Sequence, residues 1–166
     1  TIVTAVEGGR SIYDNIRKFS FFLLRSNFDE LGIIGLFALM GLELPLTAGM
    51  ILWLNLVTDG GPALALTMDP PEDDVMNRPP RKPNEGVLHG RFASILVTFT
   101  LQFLLTGGLF YWQYYLSGAY LLPEPARIDA LNYARTMAFM RATLQELLIV
   151  WNCRSERRNA FRVGFF

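Results

Sequence analysis

Three side chains that could bind a cation lie close together in the middle of an apolar segment. Asn55, Thr58 and Asp59 occupy positions i, i+3 and i+4, so they share one face of a helix. The segment runs from about Leu46 to Met68, and a helix of that length can cross roughly 30 Å of hydrocarbon. An aspartate at the centre of a membrane-spanning helix costs about 3 kcal/mol. Since ionisable groups inside membranes mark ion pathways, Asp59 is expected to be functional.

The residues that follow Asp59 predict an interruption of this helix. Gly60, Gly61 and Pro62 come next in the chain; glycine weakens a helix, and proline removes a backbone donor. We therefore expect regular helical hydrogen bonding to fail, and the chain to unwind, around Asp59–Pro62. A broken helix beside a buried carboxylate is how membrane transporters present oxygen atoms to a cation. The stretch is interpreted as half of an ion site.

Two other apolar segments contain acids and amides. Asn27 and Glu30 are three residues apart and are neighbours on one helical face. Arg25 precedes Asp29 by four residues, which predicts an ion pair within the helix. Glu146 lies near the centre of the last apolar segment. Left unpaired in lipid, the three carboxylates of Glu30, Asp59 and Glu146 would cost on the order of 10 kcal/mol, so we expect them to converge on a cation.

The predicted ligand atoms are all oxygens. They are the carboxylates of Glu30, Asp59 and Glu146, the amide carbonyls of Asn27 and Asn55, and the hydroxyl of Thr58. Neither a thiolate nor an imidazole belongs to the set, which disfavours copper and zinc. Calcium takes about six to eight oxygens in a flexible shell, whereas magnesium demands a small octahedron. The set therefore suits calcium better than magnesium.

The composition predicts an all-α, polytopic membrane helical bundle. Of the 166 residues, 51% are hydrophobic, and they are clustered rather than spread, which indicates a membrane protein. Four segments are long and apolar enough to span a bilayer: about 19–42, 46–68, 92–116 and 133–153. Residues 1–18 are amphipathic and predict a cytoplasmic stalk helix interrupted at Gly8-Gly9, with an interfacial anchor helix as the alternative. Residues 69–91 form a proline-rich loop, and residues 154–166 lead to another apolar run.

Lysine and arginine residues predict the orientation. They occur near the start of the chain, in the proline-rich loop and near the end, whereas Arg127 and Arg135 lie on the other side. By the positive-inside rule, both ends and the proline-rich loop are cytoplasmic. The formal net charge is zero, so no nucleic-acid partner is expected. Cys153 is the only cysteine of this chain, which excludes a disulfide within it.

Five motifs, in order along essentially the whole chain, show a family resemblance. They are 9–19 (GRSIYDNIRKF), 26–30 (SNFDE), 52–60 (LWLNLVTDG), 70–81 (from Pro70-Pro71 to Pro80-Arg81), and 136–139 (TMAF) with Glu146, Asn152 and Ser155-Glu156. Together they resemble membrane helices five to eight, and the start of nine, of type II P-type cation-transporting ATPases, in particular the sarcoplasmic-reticulum calcium pump group.

The resemblance implies specific roles for residues of this chain. The ligands of transported Ca2+ would be Asn27, Glu30, Asn55, Thr58, Asp59 and Glu146, with Asp59 shared between two calcium sites. The proline-rich loop would couple the membrane helices to the phosphorylation domain through Glu72, Asp73, Asp74 and Arg78. Mg2+ and ATP would act in the phosphorylation, nucleotide and actuator domains, where phosphoryl transfer drives the membrane helices between two states. Those domains, membrane helices one to four and the lipid bilayer would be the partners of this segment, and proton countertransport would accompany calcium transport.

Two arginines depart from the calcium-pump pattern. Arg25 and Arg141 introduce positive charge where those pumps have small or apolar residues, so both are candidate charge modifiers. Two alternatives follow: a pump of the same type for sodium, protons or manganese, or a non-catalytic membrane module. The phosphorylation motif Asp-Lys-Thr-Gly-Thr is absent from these residues, and we expect the segment alone to be inactive. The short loop Ser117–Asp129 lacks cysteines, which favours a prokaryotic cell membrane as its location.

Overall fold

The computed structural model describes residues 1–72, 74–79, 86 and 92–154. Four long helices make up most of them: α1 (Ile2–Leu39), α2 (Ala48–Thr67), α3 (Phe92–Leu116) and α4 (Ala126–Cys153). A single 3-10 turn, Ala119–Leu121, lies between α3 and α4. All regular secondary structure in the described part of the chain is helical, which confirms the all-α prediction.

Two of these helices are apolar and long enough to cross a membrane. They are α2 and α3, with mean hydropathies of 1.2 and 1.7. Helix α3 covers the same residues as the predicted third span. Helix α4 begins at Ala126, before the predicted start of the fourth span, and helix α1 joins the predicted stalk and first span into one element.

Helix α1 runs without interruption through Gly8-Gly9, so the predicted interruption there is wrong. Two glycines lower helix stability by about 2 kcal/mol relative to alanine. That cost is spread over a helix of 38 residues. An existing helix can continue past the two glycines without a second nucleation step. The amphipathic start of the chain is therefore continuous with the part that contains the candidate ligands.

Helix α2 widens instead of unwinding. A π-helical turn occupies Leu54–Asp59, and a regular α-helix resumes over Gly60–Thr67. The prediction of an unwound stretch at Asp59–Pro62 is thus wrong, although regular bonding does fail one turn earlier. Pro62 lies in the first turn of the renewed α-helix, where its missing N–H costs little. The wider turn before it gives the proline ring room beside the carbonyl of Thr58, which it would otherwise meet.

Two apolar clusters enclose a polar layer. One contains Ile33, Phe37, Leu54, Phe110 and Ala142, and the other contains Phe22, Ala63 and Ile149. On α1 the polar residues 26–30 lie between Phe22 and Ile33; on α4, Glu146 lies between Ala142 and Ile149. Thr58 and Asp59 lie between Leu54 and Ala63 of α2 in the same way. Packing of the clusters therefore brings the polar residues of three helices to one level.

Candidate cation site

Three buried carboxylates, one from each of three helices, form the centre of this polar layer. Glu30 of α1 is 7% exposed, Asp59 of α2 is 1% exposed and Glu146 of α4 is 3% exposed. Burying a carboxylate is costly unless it is hydrogen-bonded or paired with a cation. The contacts of these three side chains therefore indicate what the layer can bind.

Each carboxylate accepts a hydrogen bond from a neutral side chain of a neighbouring helix. Asn55 donates its amide Nδ2–H to Glu30 Oε2 at 2.7 Å. The hydroxyl of Thr58 donates to Glu146 Oε2 at 2.7 Å, and the hydroxyl of Ser26 donates to Asp59 Oδ1 at 2.5 Å. Helix α2 is thus joined twice to α1 and once to α4, at the level of its π turn.

The π turn supplies these donors in fixed orientations. Besides its bond to Glu146, Thr58 Oγ1 lies 2.7 Å from the carbonyl oxygen of Leu54. The amide of Asn55 likewise donates to the carbonyl of Ile51 at 3.0 Å. Such widened turns occur frequently at functional sites. Here the turn directs Asn55 and Asp59 to α1 and Thr58 to α4.

Two oxygen atoms of the site have no hydrogen-bond partner among the described residues. They are Glu30 Oε1 and Asp59 Oδ2, and both are buried. Buried polar atoms in proteins are nearly always bonded, and exceptions are often places where an ion or water binds. These atoms, together with the oxygens of Asn55 and Thr58, are hard ligands that suit Ca2+.

The carboxylates themselves are not gathered into a tight cage. Within residues 1–72, 74–79, 86 and 92–154, no group of three His, Cys, Asp or Glu side chains is close enough to hold a metal ion. Like charges repel, and Glu146 faces the charges of both Asp59 and Glu30. A cation held here must therefore use the neutral oxygens as well, or draw the carboxylates together.

Asn27 is the one predicted ligand that the structure places outside this cluster. Its side chain is exposed, and its amide donates to the carbonyl of Leu23 in its own helix at 2.7 Å. The sequence interpretation instead missed Ser26, which is 3% exposed. A signal was available, because Ser26 precedes Glu30 by four residues and therefore lies on the same helical face.

Neither of the two arginines contacts a carboxylate of the site. Arg25 hydrogen-bonds with the side chain of Cys153, and the predicted ion pair with Asp29 is not present among the described residues, so that prediction is wrong. An arginine that precedes an acid by four residues is the weaker of the two orientations, because it opposes the helix dipole. Arg141 donates to the hydroxyl of Thr106 in α3 at 2.5 Å.

The predicted coupling loop folds onto the first turns of α1. Arg78 forms ion pairs with Asp14 of α1 and Glu72 of the loop, both at 2.6 Å, and with Asp74 at 2.5 Å. Hydrogen bonding to Asp74, and the charges of all three acids, raise the pKa of Arg78 above its ordinary value. Arg10 donates to the carbonyl oxygens of Val75 and Arg78. Asp73, predicted as a coupling residue, lies outside the described residues.

A second group of charges joins the ends of α2 and α4 to the interior of α1. Asp69, just after α2, pairs with Lys18 of α1 at 3.4 Å and with Arg154, just after α4, at 3.2 Å. Asn15 of α1 donates to the carbonyl oxygens of Thr67 and Asp69. The end of α2 and the loop that follows it are therefore held to α1 by several polar contacts.

Comparison with known proteins shows which family the chain resembles. The family model for the C-terminus of cation-transporting ATPases matches residues 43–166. A calcium-transporting ATPase of Bacillus subtilis is 42% identical over 98% of the chain, and calcium-transporting ATPase 1 of Bacillus cereus is 40% identical over all of it. Calcium-transporting ATPase 1 of the yeast Yarrowia lipolytica is 34% identical, also over the whole chain. The chain spans only 17–19% of the length of these three relatives.

Proposed function

Because the chain belongs to the family of cation-transporting ATPases, as part of their C-terminal region, we propose that it forms the calcium-binding membrane segment of a P-type ATPase. The complete pump would transport Ca2+ at the expense of ATP, and the membrane that we propose for it is a prokaryotic cell membrane. Support comes from the relatives in Bacillus and Yarrowia, which are calcium-transporting ATPases.

The polar layer is the observation that supports this proposal most strongly. Three helices contribute one buried carboxylate each, and two of the carboxylate oxygens have no partner among the described residues. We assign Glu30, Asn55, Thr58, Asp59 and Glu146 as ligands of the transported ion. Asn27, which the resemblance adds to this set, is exposed and hydrogen-bonds within its own helix, so we do not assign it as a ligand.

Binding of the ion would change the contacts that now hold the three helices together. Ser26, Asn55 and Thr58 each donate to a carboxylate that a cation would also use. Ion binding therefore competes with, or rearranges, the bonds between α2 and its neighbours. After release of the ion, Glu30 and Glu146 would take up protons, because an uncompensated buried charge is costly. Proton countertransport is accordingly part of the proposal.

The coupling loop offers a physical route from the site to other domains of the pump. Arg78 and Arg10 bind the loop to the cytoplasmic part of α1, and α1 continues from there to Glu30 as one helix. A movement of α1 caused by ion binding would thus be transmitted to the loop. Mg2+ and ATP would be used in the phosphorylation and nucleotide domains. The actuator domain and membrane helices one to four would complete the pump.

Another transported ion is the alternative, and its main support is Arg25, since a fixed cation could replace a transported one. Arg25 contacts Cys153 and Arg141 contacts Thr106, so neither guanidinium occupies the position of a cation between Glu30, Asp59 and Glu146. The geometry therefore favours calcium over a pump in which a fixed cation replaces a transported one.

The decisive experiment measures calcium-dependent phosphoenzyme formation from ATP in the complete pump that contains this segment. Asp59→Asn should abolish it, because a neutral amide cannot offset a divalent charge in a dry site. Glu124→Gln is the matched control, since Glu124 is exposed and, among the residues that the structure describes, pairs with nearby Arg127. Near-normal calcium-dependent phosphoenzyme in the Asp59→Asn variant would contradict the proposal. Sodium and manganese in place of calcium test the alternative ions.

A further inference from the structure

A pair of opposite charges, Asp29 and Arg141, lies next to the cation site. Asp29 is 5% exposed, and it shares a helical face with Ile33 and Phe37, four and eight residues further on. The ring of Phe37 packs edge-on against Phe110 of α3, with 5.6 Å between the centroids. Asp29 therefore lies on the side of α1 that faces α3. Glu30, turned by about 100° on the helix, faces α2 instead.

Arg141 approaches the same region from α4. Its Nη1 donates to the hydroxyl of Thr106 at 2.5 Å and lies 3.5 Å from the carbonyl oxygen of Gln102. Thr106 and Gln102 are both buried residues of α3. Arg141 precedes Glu146 by five residues, a rotation of about 140°, so the two side chains of α4 face different neighbours. The guanidinium is thus anchored to α3 and kept away from the cation site.

Asp29 and Arg141 attract each other without direct contact. Of the cations around Asp29, Arg141 attracts it most strongly, ahead of Arg25, while Glu30 repels it. Asp29 Oδ1 has no hydrogen-bond partner within the described parts of the chain. A buried carboxylate in that situation needs a compensating charge nearby. Arg141 makes the larger contribution to that charge, and Arg25 makes a smaller one.

We propose that Arg141 neutralises the charge of Asp29 and so limits the negative charge of the cation site to the carboxylates of Glu30, Asp59 and Glu146, which sets how tightly the site holds its cation. Asp29 is adjacent to Glu30 in the chain, and its charge also acts on Glu146. Without Arg141, a fourth negative charge would strengthen the attraction for any cation in the site. The inference rests on the proposed function.

The test is a double-mutant cycle in the complete pump, read as the calcium concentration that gives half-maximal phosphoenzyme. Arg141→Gln should lower this concentration about tenfold, because the negative charge of Asp29 is then no longer neutralised and attracts the cation. Asp29→Asn should raise it about tenfold, because it leaves the positive charge of Arg141 uncompensated. The double variant should return to within about threefold of the wild type, since both charges are then removed.

Two control variants separate charge from packing. Arg141→Lys keeps the charge and loses the planar fork, so it should stay within about threefold of the wild type. Arg127→Gln removes an exposed arginine on another part of the chain and should cause no shift. If Arg141→Lys shifts the calcium dependence as far as Arg141→Gln does, the charge is not what matters and the inference is wrong.

The outcomes also distinguish this inference from the proposed function. Shifts of both single variants in the same direction, or shifts that add in the double variant, would overturn the neutralising role while leaving calcium transport intact. A wild-type pump without calcium-dependent phosphoenzyme would overturn the proposed function itself. If Arg141→Gln cannot be recovered as folded protein, Asp29→Asn decides: an unchanged or lowered calcium requirement in that variant refutes the inference.

Discussion

Arg78 offers the clearest test of how the loop after α2 is attached to α1. Its guanidinium pairs with Asp14 across elements and with Glu72 and Asp74 within the loop. Replacing Arg78 with alanine removes all three ion pairs and leaves three carboxylates close together. We expect Arg78→Ala to loosen the loop and to destabilise the protein.

The size of the effect follows from burial. The Arg78 side chain is only 20% exposed, so its pairs are worth more than surface ion pairs, which contribute at most about 1 kcal/mol. They are worth less than fully buried pairs, whose disruption costs about 3–5 kcal/mol. Allowing for this partial exposure, we expect a loss of about 2–3 kcal/mol. Arg78→Lys keeps the positive charge but lacks the planar guanidinium, which can bind several carboxylates at once. We therefore expect it to lose about half as much stability.

The measurement is the midpoint of thermal unfolding of the purified complete pump, followed by tryptophan fluorescence. At about 2–4 °C per kcal/mol for a domain of this size, Arg78→Ala should lower the midpoint by about 4–12 °C. Arg127→Ala is the matched control, because its ion pair with Glu124 is 46% exposed on the arginine side and spans only three residues. That variant should shift the midpoint by less than about 1 °C.

The pH dependence provides a further check on Arg78. Its pKa is raised by the hydrogen bond to Asp74 and by the charges of the three acids. A raised pKa in the folded state means that the stabilisation is fully present below the pKa of arginine in the unfolded chain, which lies well above pH 9.5, and is lost only as the pH rises through the folded-state pKa. The difference in midpoint between wild type and Arg78→Gln should therefore be the same at pH 7 and pH 9.5. Equal losses in Arg78→Ala and Arg127→Ala, or a difference that shrinks toward pH 9.5, would refute this reasoning.

Two further matched pairs test the site and the packing of the helices. Asn55→Ala should raise the calcium concentration for half-maximal phosphoenzyme by about tenfold or more, because it leaves Glu30 without its 2.7 Å donor. Asn27→Ala loses a hydrogen bond within its own helix and should change that concentration by less than about threefold. An equal effect of the two variants would indicate that Asn27 is also a ligand. A methyl group added at Gly32 would overlap the ring of Phe99, whereas one at Gly35 meets nothing within 4 Å. Gly32→Ala should therefore lower the thermal midpoint by the equivalent of about 1–3 kcal/mol, and Gly35→Ala should leave it unchanged or slightly higher; similar midpoints for the two variants would contradict the α1–α3 contact.

The sequence by itself determines which elements form and which side chains are too costly to leave in lipid. Apolar runs of sufficient length predict helices because a helix is the structure in which one segment satisfies all its own backbone polar groups inside a bilayer. Asp59, Glu30 and Glu146 are predicted as buried acids by the same reasoning, and the structure brings all three into one layer. Spacing of three and four residues also predicts that Asn55 and Thr58 accompany Asp59.

Only the tertiary structure decides what each polar side chain contacts. Ser26 and Asn27 are neighbours in the chain, yet the first donates to Asp59 and the second returns to its own helix. Arg25 has the spacing for a pair with Asp29, but Arg141, more than a hundred residues further on, is the cation that attracts Asp29 most. The π turn of α2 likewise precedes the Gly-Gly-Pro sequence that predicted a break. Such choices depend on which faces of the helices pack together, and that packing minimises the free energy of the whole bundle rather than of any one segment.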